Sequence, residues 1–225
     1  MRIAYAEIRD LSPSELEQLS ADERERQFAS VERQRQFRCG RWLLRTMLAA
    51  EGGRAAASYR LVAGDKGKPV CEDGPALSIS HAGRHVACCI ADRGEVGVDL
   101  EVVDLRRHAP KVARRFFAAA EADWLETQPK DRFFMLWVLK EAYVKALGCG
   151  IFGGLNGLQC IIEPPHIRVL DSALARLSLA LFELRGAYLA VASTEDLPDE
   201  LAVAFRDAAG TVLAADPGAV LVART

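Results

Sequence analysis

A chain of 225 residues is long enough for one large domain or for two of about 110 residues, each able to bury its own core. Half of the residues are apolar and 27% are charged, the make-up of a globular protein, which excludes the disordered and fibrous classes. Lys plus Arg number 29 against 31 Asp plus Glu, so wholesale binding to nucleic acid or to an anionic membrane is not expected, and any phosphate site must be local.

The opening stretch, MRIAYAEIRDLSPSELEQL, carries acids where a signal peptide would carry a basic and then a continuous apolar run. No stretch reaches the roughly 18 apolar residues of a membrane span. A cytoplasmic protein is the expectation. Six cysteines without a CxxC pair or a zinc spacing read as reduced core residues, Cys88 and Cys89 above all.

In chain order, the first 60 residues predict helix, with Ser12-Pro13-Ser14 as a start signal. A charged run from Asp22 to Arg38 then leads into the apolar period of Trp42, Leu43, Met47 and Leu48, and Gly52-Gly53 ends it. The basic turn AGDKGKP, 63 to 69, follows. Strands are predicted at 76–80, 85–91 and 95–101, with Asp92-Arg93-Gly94 as a hairpin turn between the last two. Helix returns at 109–126 and 132–147, stopped by Gly148. Strand patterns follow at 158–162, 166–170, 177–184, 187–193 and 201–206, and the final ADPGAVLVART reads as a loosely held tail. Each half thus runs helix then strands. This predicts an α+β fold of two similar lobes, residues 1–105 and 106–225.

Several residues could carry chemistry. In EVGVDLE the strand period places Asp99 and Glu101 on one face with Gly97. Two like charges so close call for water, a raised pKa or a cation, and a hard divalent ion suits them; an ordinary solvated strand face would show the same alternation. The helix FFMLWVLKEAYVKALG is apolar almost all round yet carries Lys140, Glu141 and Lys145. Glu141 shares a face with Phe134 and Trp137, where a lone carboxylate is costly, and Lys145 is its i,i+4 partner. A self-contained ion pair at the helix surface is the plainer alternative. Ser80 and His81 in LSISHAG end a strand beside a glycine, a usual place for a binding loop. No GxSxG elbow supports a hydrolase. Lys66 and Lys68, with Arg26, Arg35, Arg38, Arg41 and Arg45, supply local positive charge, although most of the arginines read as solvated helix face. Their spacing is not that of a P-loop.

In order and separation, GKP at 67–69, SISHAG at 78–83, GVDLE at 97–101, FFAAAE at 116–121 and WVLKEAYVKALG at 137–148 resemble the 4′-phosphopantetheinyl transferase superfamily. The length resembles its surfactin-synthetase type, which implies two lobes related by a pseudo-twofold axis in a monomer. The resemblance implies transfer of 4′-phosphopantetheine from coenzyme A to a serine of an apo acyl or peptidyl carrier protein, with adenosine 3′,5′-bisphosphate released. It further implies Mg²⁺ held by Asp99, Glu101 and Glu141, with Glu141 and Lys145 catalytic. Arg26, Lys66, Lys68, Ser80, His81 and Lys145 would bind coenzyme A. Ala82 and Gln36 depart from the family pattern. Fatty-acid, polyketide, peptide-synthetase and siderophore carriers all remain open. The competing readings are another Mg²⁺-dependent phosphoryl or nucleotidyl transferase, or a binding module without catalysis.

Overall fold

The computed structural model describes residues 1–64, 67–106, 109–149, 154–170, 177–206, 216 and 218–225. It is an α+β structure built on two main sheets, as the pattern predicts.

The chain opens with a strand, β1 (Arg2–Glu7), where the sequence predicted helix. Ile3-Ala4-Tyr5-Ala6 is short and alanine-rich, so its local preference is weak. It lies between two strands with Ile3, Ala4 and Ala6 buried, and pairing outweighs propensity. Three helices follow: α1 (Pro13–Leu16), α2 (Ala21–Glu25) and α3 (Val31–Gly52). Ser12, Ser20 and Ser30 cap them, the first two in reciprocal capping boxes with Glu15 and Glu23. Gly53 closes α3 at φ 64°, a left-handed turn that costs glycine nothing. After a small hairpin, β2 (Leu61–Ala63) with β3 (Pro69–Cys71), come β4 (Ala76–Ala82), β5 (His85–Ala91) and β6 (Val96–Val102).

Asp92-Arg93-Gly94 does turn the chain, with Gly94 at φ 68°, but it does not make a hairpin. β5 pairs with β1 and β4, whereas β6 leaves that sheet and pairs with β10 (Ala187–Ser193). The turn is held from the second sheet, where Thr194 Oγ1 accepts from the Glu95 amide at 2.8 Å.

The predicted helix 109–126 is two, α4 (Ala109–Phe116) and α5 (Ala119–Glu126), broken where Ala118 is extended and its N–H is taken by the Glu121 carboxylate. α6 (Arg132–Leu147) ends at Gly148, φ 65°. The later strands are β7 (Cys160–Glu163), β8 (His166–Val169), β9 (Ser178–Leu184), β10, β11 (Val203–Arg206) and β12 (Val220–Arg224). The sheet orders are β11-β1-β5-β4 and β6-β10-β9-β12-β8-β7. The final segment is therefore no tail: β12 lies between β9 and β8. Thr225 exchanges hydrogen bonds with Leu179, and the Arg224 guanidinium donates to the carbonyls of Leu197, Pro198 and Asp199.

Helices cover the outer faces and the sheets face each other. α3 presses Trp42, Leu43, Leu44 and Leu48 onto Ala4, Val86, Cys88 and Ile90. Between the sheets, Ile3, Ala87 and Cys89 meet Val98, Leu100, Phe182 and Val191. α6 covers the far side with Phe133, Leu136 and Leu139 against Leu179, Leu181 and Tyr188. Cys88 and Cys89 thus point into two different cores, and burial pushes the Cys89 thiol up to about 12. All six cysteines are free. Among the described residues no helix is long and apolar enough to cross a membrane.

Candidate functional site

Asp99 sits in mid-β6 on the face that turns toward α6, and Gly97 on that face lets the helix come close. A Cβ at Gly97 would collide with the carbonyl oxygen of Ala142 and lie 2.5 Å from the nitrogen of Ala146. The room that the glycine provides is room for a helix rather than for a ligand. This approach carries Lys145 across to Asp99, its Nζ 2.6 Å from Oδ1 and 2.8 Å from Ser80 Oγ. Ser80 in turn donates to Asp99 Oδ1 at 2.7 Å, closing a three-membered cluster drawn from β4, β6 and α6. Asp99 and Ser80 are each 5% exposed, so the acceptor side of the cluster is shielded from water and its charge-assisted bonds are strong, while Lys145 is partly exposed.

Lys145 therefore turns to Asp99 on the neighbouring strand. Glu141 is 6% exposed, so its side chain does not lie on the solvent face of this helix. Glu101, partly exposed, continues the face that bears Asp99. Among the described residues no group of three His, Cys, Asp or Glu side chains is drawn together as a metal-holding set. The donor chemistry nevertheless suits a hard cation: Asp99, Glu101 and Glu141 offer only carboxylate oxygens on two elements packed face to face, and Asp99 already holds a cation, the Lys145 ammonium.

At the end of β4, His81 Nε2 lies 2.7 Å from Arg33 Nη1. Burial first, then the charges of Arg33 and Lys145, hold its pKa below the usual 6.5, so the ring is neutral near pH 7 and accepts at Nε2. Lys68 binds Glu95 Oε2 at 2.8 Å and the Ala146 carbonyl at 3.1 Å, which brings it to the last turn of α6, the helix of Lys145. Arg26 is exposed, its guanidinium 5.4 Å and 5.1 Å from the Phe28 and Phe37 ring centres. Lys66 lies outside the described residues.

The arginines of α3 divide by burial. Arg35 is exposed and paired with Asp10, and Arg38 donates to the Arg24 carbonyl. Arg45 is 1% exposed, contrary to the solvated face the charge run predicted. Its guanidinium binds Glu23 at 2.6 Å and the carbonyls of Ala56 and Tyr59, so it ties α2 and the chain after α3 to the helix.

Sequence reasoning assigned no role to four residues, Ser78, Arg33, Lys140 and Glu121. Ser78 and Arg33 gave no signal. The pair Lys140–Glu121 did: a lysine in an unbroken apolar helix demands a buried counter-charge. Both side chains are almost wholly buried, 2.8 Å apart. The ammonium also donates to the carbonyls of Leu155 and Leu158, and the carboxylate accepts from the amides of Ala118 and Cys160. One pair thus fixes the start of α5, α6 and the entry to β7.

Two family models match the chain over most of its length. Residues 22–91 match the 4′-phosphopantetheinyl transferase N-terminal domain, and residues 95–201 the 4′-phosphopantetheinyl transferase superfamily. Among similar proteins, slr0495 of Synechocystis is 33% identical over 66% of this chain and 64% of its own length. The 4′-phosphopantetheinyl transferase HetI of Nostoc is 29% identical over 75% of this chain and 73% of its own. The 4′-phosphopantetheinyl transferase Sfp of Bacillus subtilis is 30% identical over 59% and 67%. The chain thus spans about two thirds of the length of these relatives. With GVDLE on β6 and KEAYVK on α6 brought face to face, and both models matched in order, the chain belongs to the 4′-phosphopantetheinyl transferase superfamily.

Proposed function

We propose that this protein transfers the 4′-phosphopantetheine arm of coenzyme A to a serine of an apo acyl or peptidyl carrier protein and releases adenosine 3′,5′-bisphosphate. The observation that carries the reading is the Ser80–Asp99–Lys145 cluster, which joins at one place three of the motifs that carry the family resemblance. Mg²⁺ is the proposed cofactor: Asp99, Glu101 and Glu141 would hold it, and it would supply positive charge to offset that of the coenzyme A pyrophosphate.

The protein's own groups then divide the work. Glu141 takes the proton from the carrier serine as its oxygen attacks the phosphorus that bears the pantetheine arm. Its burial keeps bulk water from competing for that proton. Lys145 turns its ammonium to the phosphate oxygen on which charge grows as the P–O bond to the departing nucleotide breaks. His81, Lys68, Lys66 and Arg26 bind the nucleotide end. The neutral imidazole is held by Arg33, and a guanidinium beside it adds positive charge for a phosphate.

Residues 1–105 and 106–225 are proposed as two pseudo-symmetric lobes of a cytoplasmic monomer. β11 crosses between them to pair with β1, and β6 joins the sheet of β10. Arg106 and Arg114, candidates for meeting an acidic carrier surface, are each already paired, Arg106 with Asp104 and Arg114 with Asp123 and Glu126, which weakens their part in docking.

The test is product analysis. Coenzyme A incubated with the protein, Mg²⁺ and an apo carrier protein yields adenosine 3′,5′-bisphosphate, and omission of the carrier stops its release. Release that does not need the carrier would point to a hydrolase of coenzyme A and contradict the reading.

A further inference from the structure

β4 and β6 are the outermost strands of their respective sheets, and they meet without a backbone ladder. β6 is buried there, with Val98 and Leu100 at 0% and 1% exposure, so its amides on the side away from β10 need acceptors other than water. Ser78 and Ser80 supply them. Two residues apart, they share the face of β4 that looks into the space between the sheets. Ser78 Oγ accepts from the Val98 amide at 3.1 Å and Ser80 Oγ from the Leu100 amide at 3.4 Å.

A hydroxyl has one hydrogen and two lone pairs. The hydrogen of Ser80 goes to Asp99 Oδ1 at 2.7 Å, and its lone pairs take the Leu100 amide and the Lys145 ammonium at 2.8 Å. Nothing is left over for a substrate. We propose that Ser78 and Ser80 form a two-rung side-chain staple between the two sheets, and that Ser80 is a positioning residue that fixes Asp99 and Lys145 relative to each other. This replaces the nucleotide contact that the family resemblance implies for Ser80. Ser78 belongs to the staple alone: its hydroxyl takes the Val98 amide, and the cluster of charges is built on the other rung.

The structural half of the proposal stands on geometry; the kinetic half rests on the transferase reading, and the experiment separates them. Amide hydrogen exchange is followed by NMR on the full chain and on Ser78→Ala, Ser80→Ala and Ser80→Thr. Ser78→Ala is expected to speed exchange at Val98 by tenfold or more, and Ser80→Ala to do so at Leu100. Unchanged exchange at both amides overturns the staple, whatever the protein catalyses. In the transfer assay, Ser80→Ala is expected to lower kcat by ten- to a hundredfold with KM for coenzyme A nearly constant, and Ser80→Thr, which keeps the hydroxyl, to restore both kcat and Leu100 protection. A rise in KM for coenzyme A at unchanged kcat would make Ser80 a substrate contact and overturn the positioning role. Should Ser80→Ala not fold, the Val98 amide in Ser78→Ala still decides the staple. The KM and kcat of Ser80→Thr then decide the positioning role: both near wild type support it, and a raised KM alone overturns it.

Discussion

At the scale of single residues, the site joins groups whose charge states are set by their neighbours. Burial, Arg33 and Lys145 all favour neutral His81, so its folded pKa lies below the unfolded 6.5. A depressed base means that the unfolded chain binds more protons as pH falls through this range. Stability from this group is therefore full above pH 6.5 and declines below it. Denaturant titrations between pH 7.5 and 5.5 should show that decline in the wild type and a flatter profile in His81→Gln. Glu15 behaves in the acid direction: the Arg9 guanidinium outweighs burial and holds its carboxyl at about 2, against the usual 4.5. Its contribution is present above pH 4.5 and is lost as pH falls toward 2. Glu141→Gln keeps the size of the side chain and removes its basicity, so kcat is expected to fall by about 10²–10⁴ with coenzyme A affinity little changed. Equal losses in both would contradict its role as a base. Glu141 and Lys145 were legible as candidates because charges on an apolar helix are out of place, and Asp99 and Glu101 because two carboxylates share one strand face. Lys145's partner was not, because Asp99 is a neighbour only once β6 and α6 are packed.

At the scale of elements, close contact between β6 and α6 decides whether the site exists. Gly97→Ala would drive a methyl group into the α6 backbone at Ala142 and Ala146. Backbone cannot yield as a side chain tip can, so a cost of about 1–3 kcal/mol or more is expected, with loss of the Lys145–Asp99 contact. Thermal melting together with turnover measures both. Lys140→Met leaves the Glu121 carboxylate buried without its partner, at a cost of roughly 3–5 kcal/mol, whereas Lys140→Met with Glu121→Leu recovers much of it. A single variant as stable as the wild type would show that the pair does not organise the α5–α6–β7 junction. Element type was readable where the period was long and clean: α6 and β10 were found at their predicted limits. It failed at β1 and β12, short strands in which alanine or a nearby Pro-Gly obscures the signal and whose stability comes from partners distant in sequence.

At the scale of the molecule, the sheet to which a strand belongs is the least local property and was the least legible. A tight turn after β5 is compatible both with a hairpin and with a step into a second sheet. The choice follows from β10 and Thr194, about 100 residues onward. The same long-range closure brings β11 to β1 and seats β12 between β9 and β8, so removal of residues 219–225 is expected to destabilise the second sheet as a whole rather than trim an end. The two facing sheets with helices outside put β4, β6 and α6 at one place, and the transfer chemistry proposed for that place is the central claim. The measurement that tests it most directly is the intact mass of an apo carrier protein incubated with this protein, coenzyme A and Mg²⁺, with EDTA as the control. The account predicts a gain of one phosphopantetheine unit, about 340 Da, that is absent with EDTA. No gain across fatty-acid, polyketide and peptide-synthetase carriers, or an equal gain in EDTA, would contradict it.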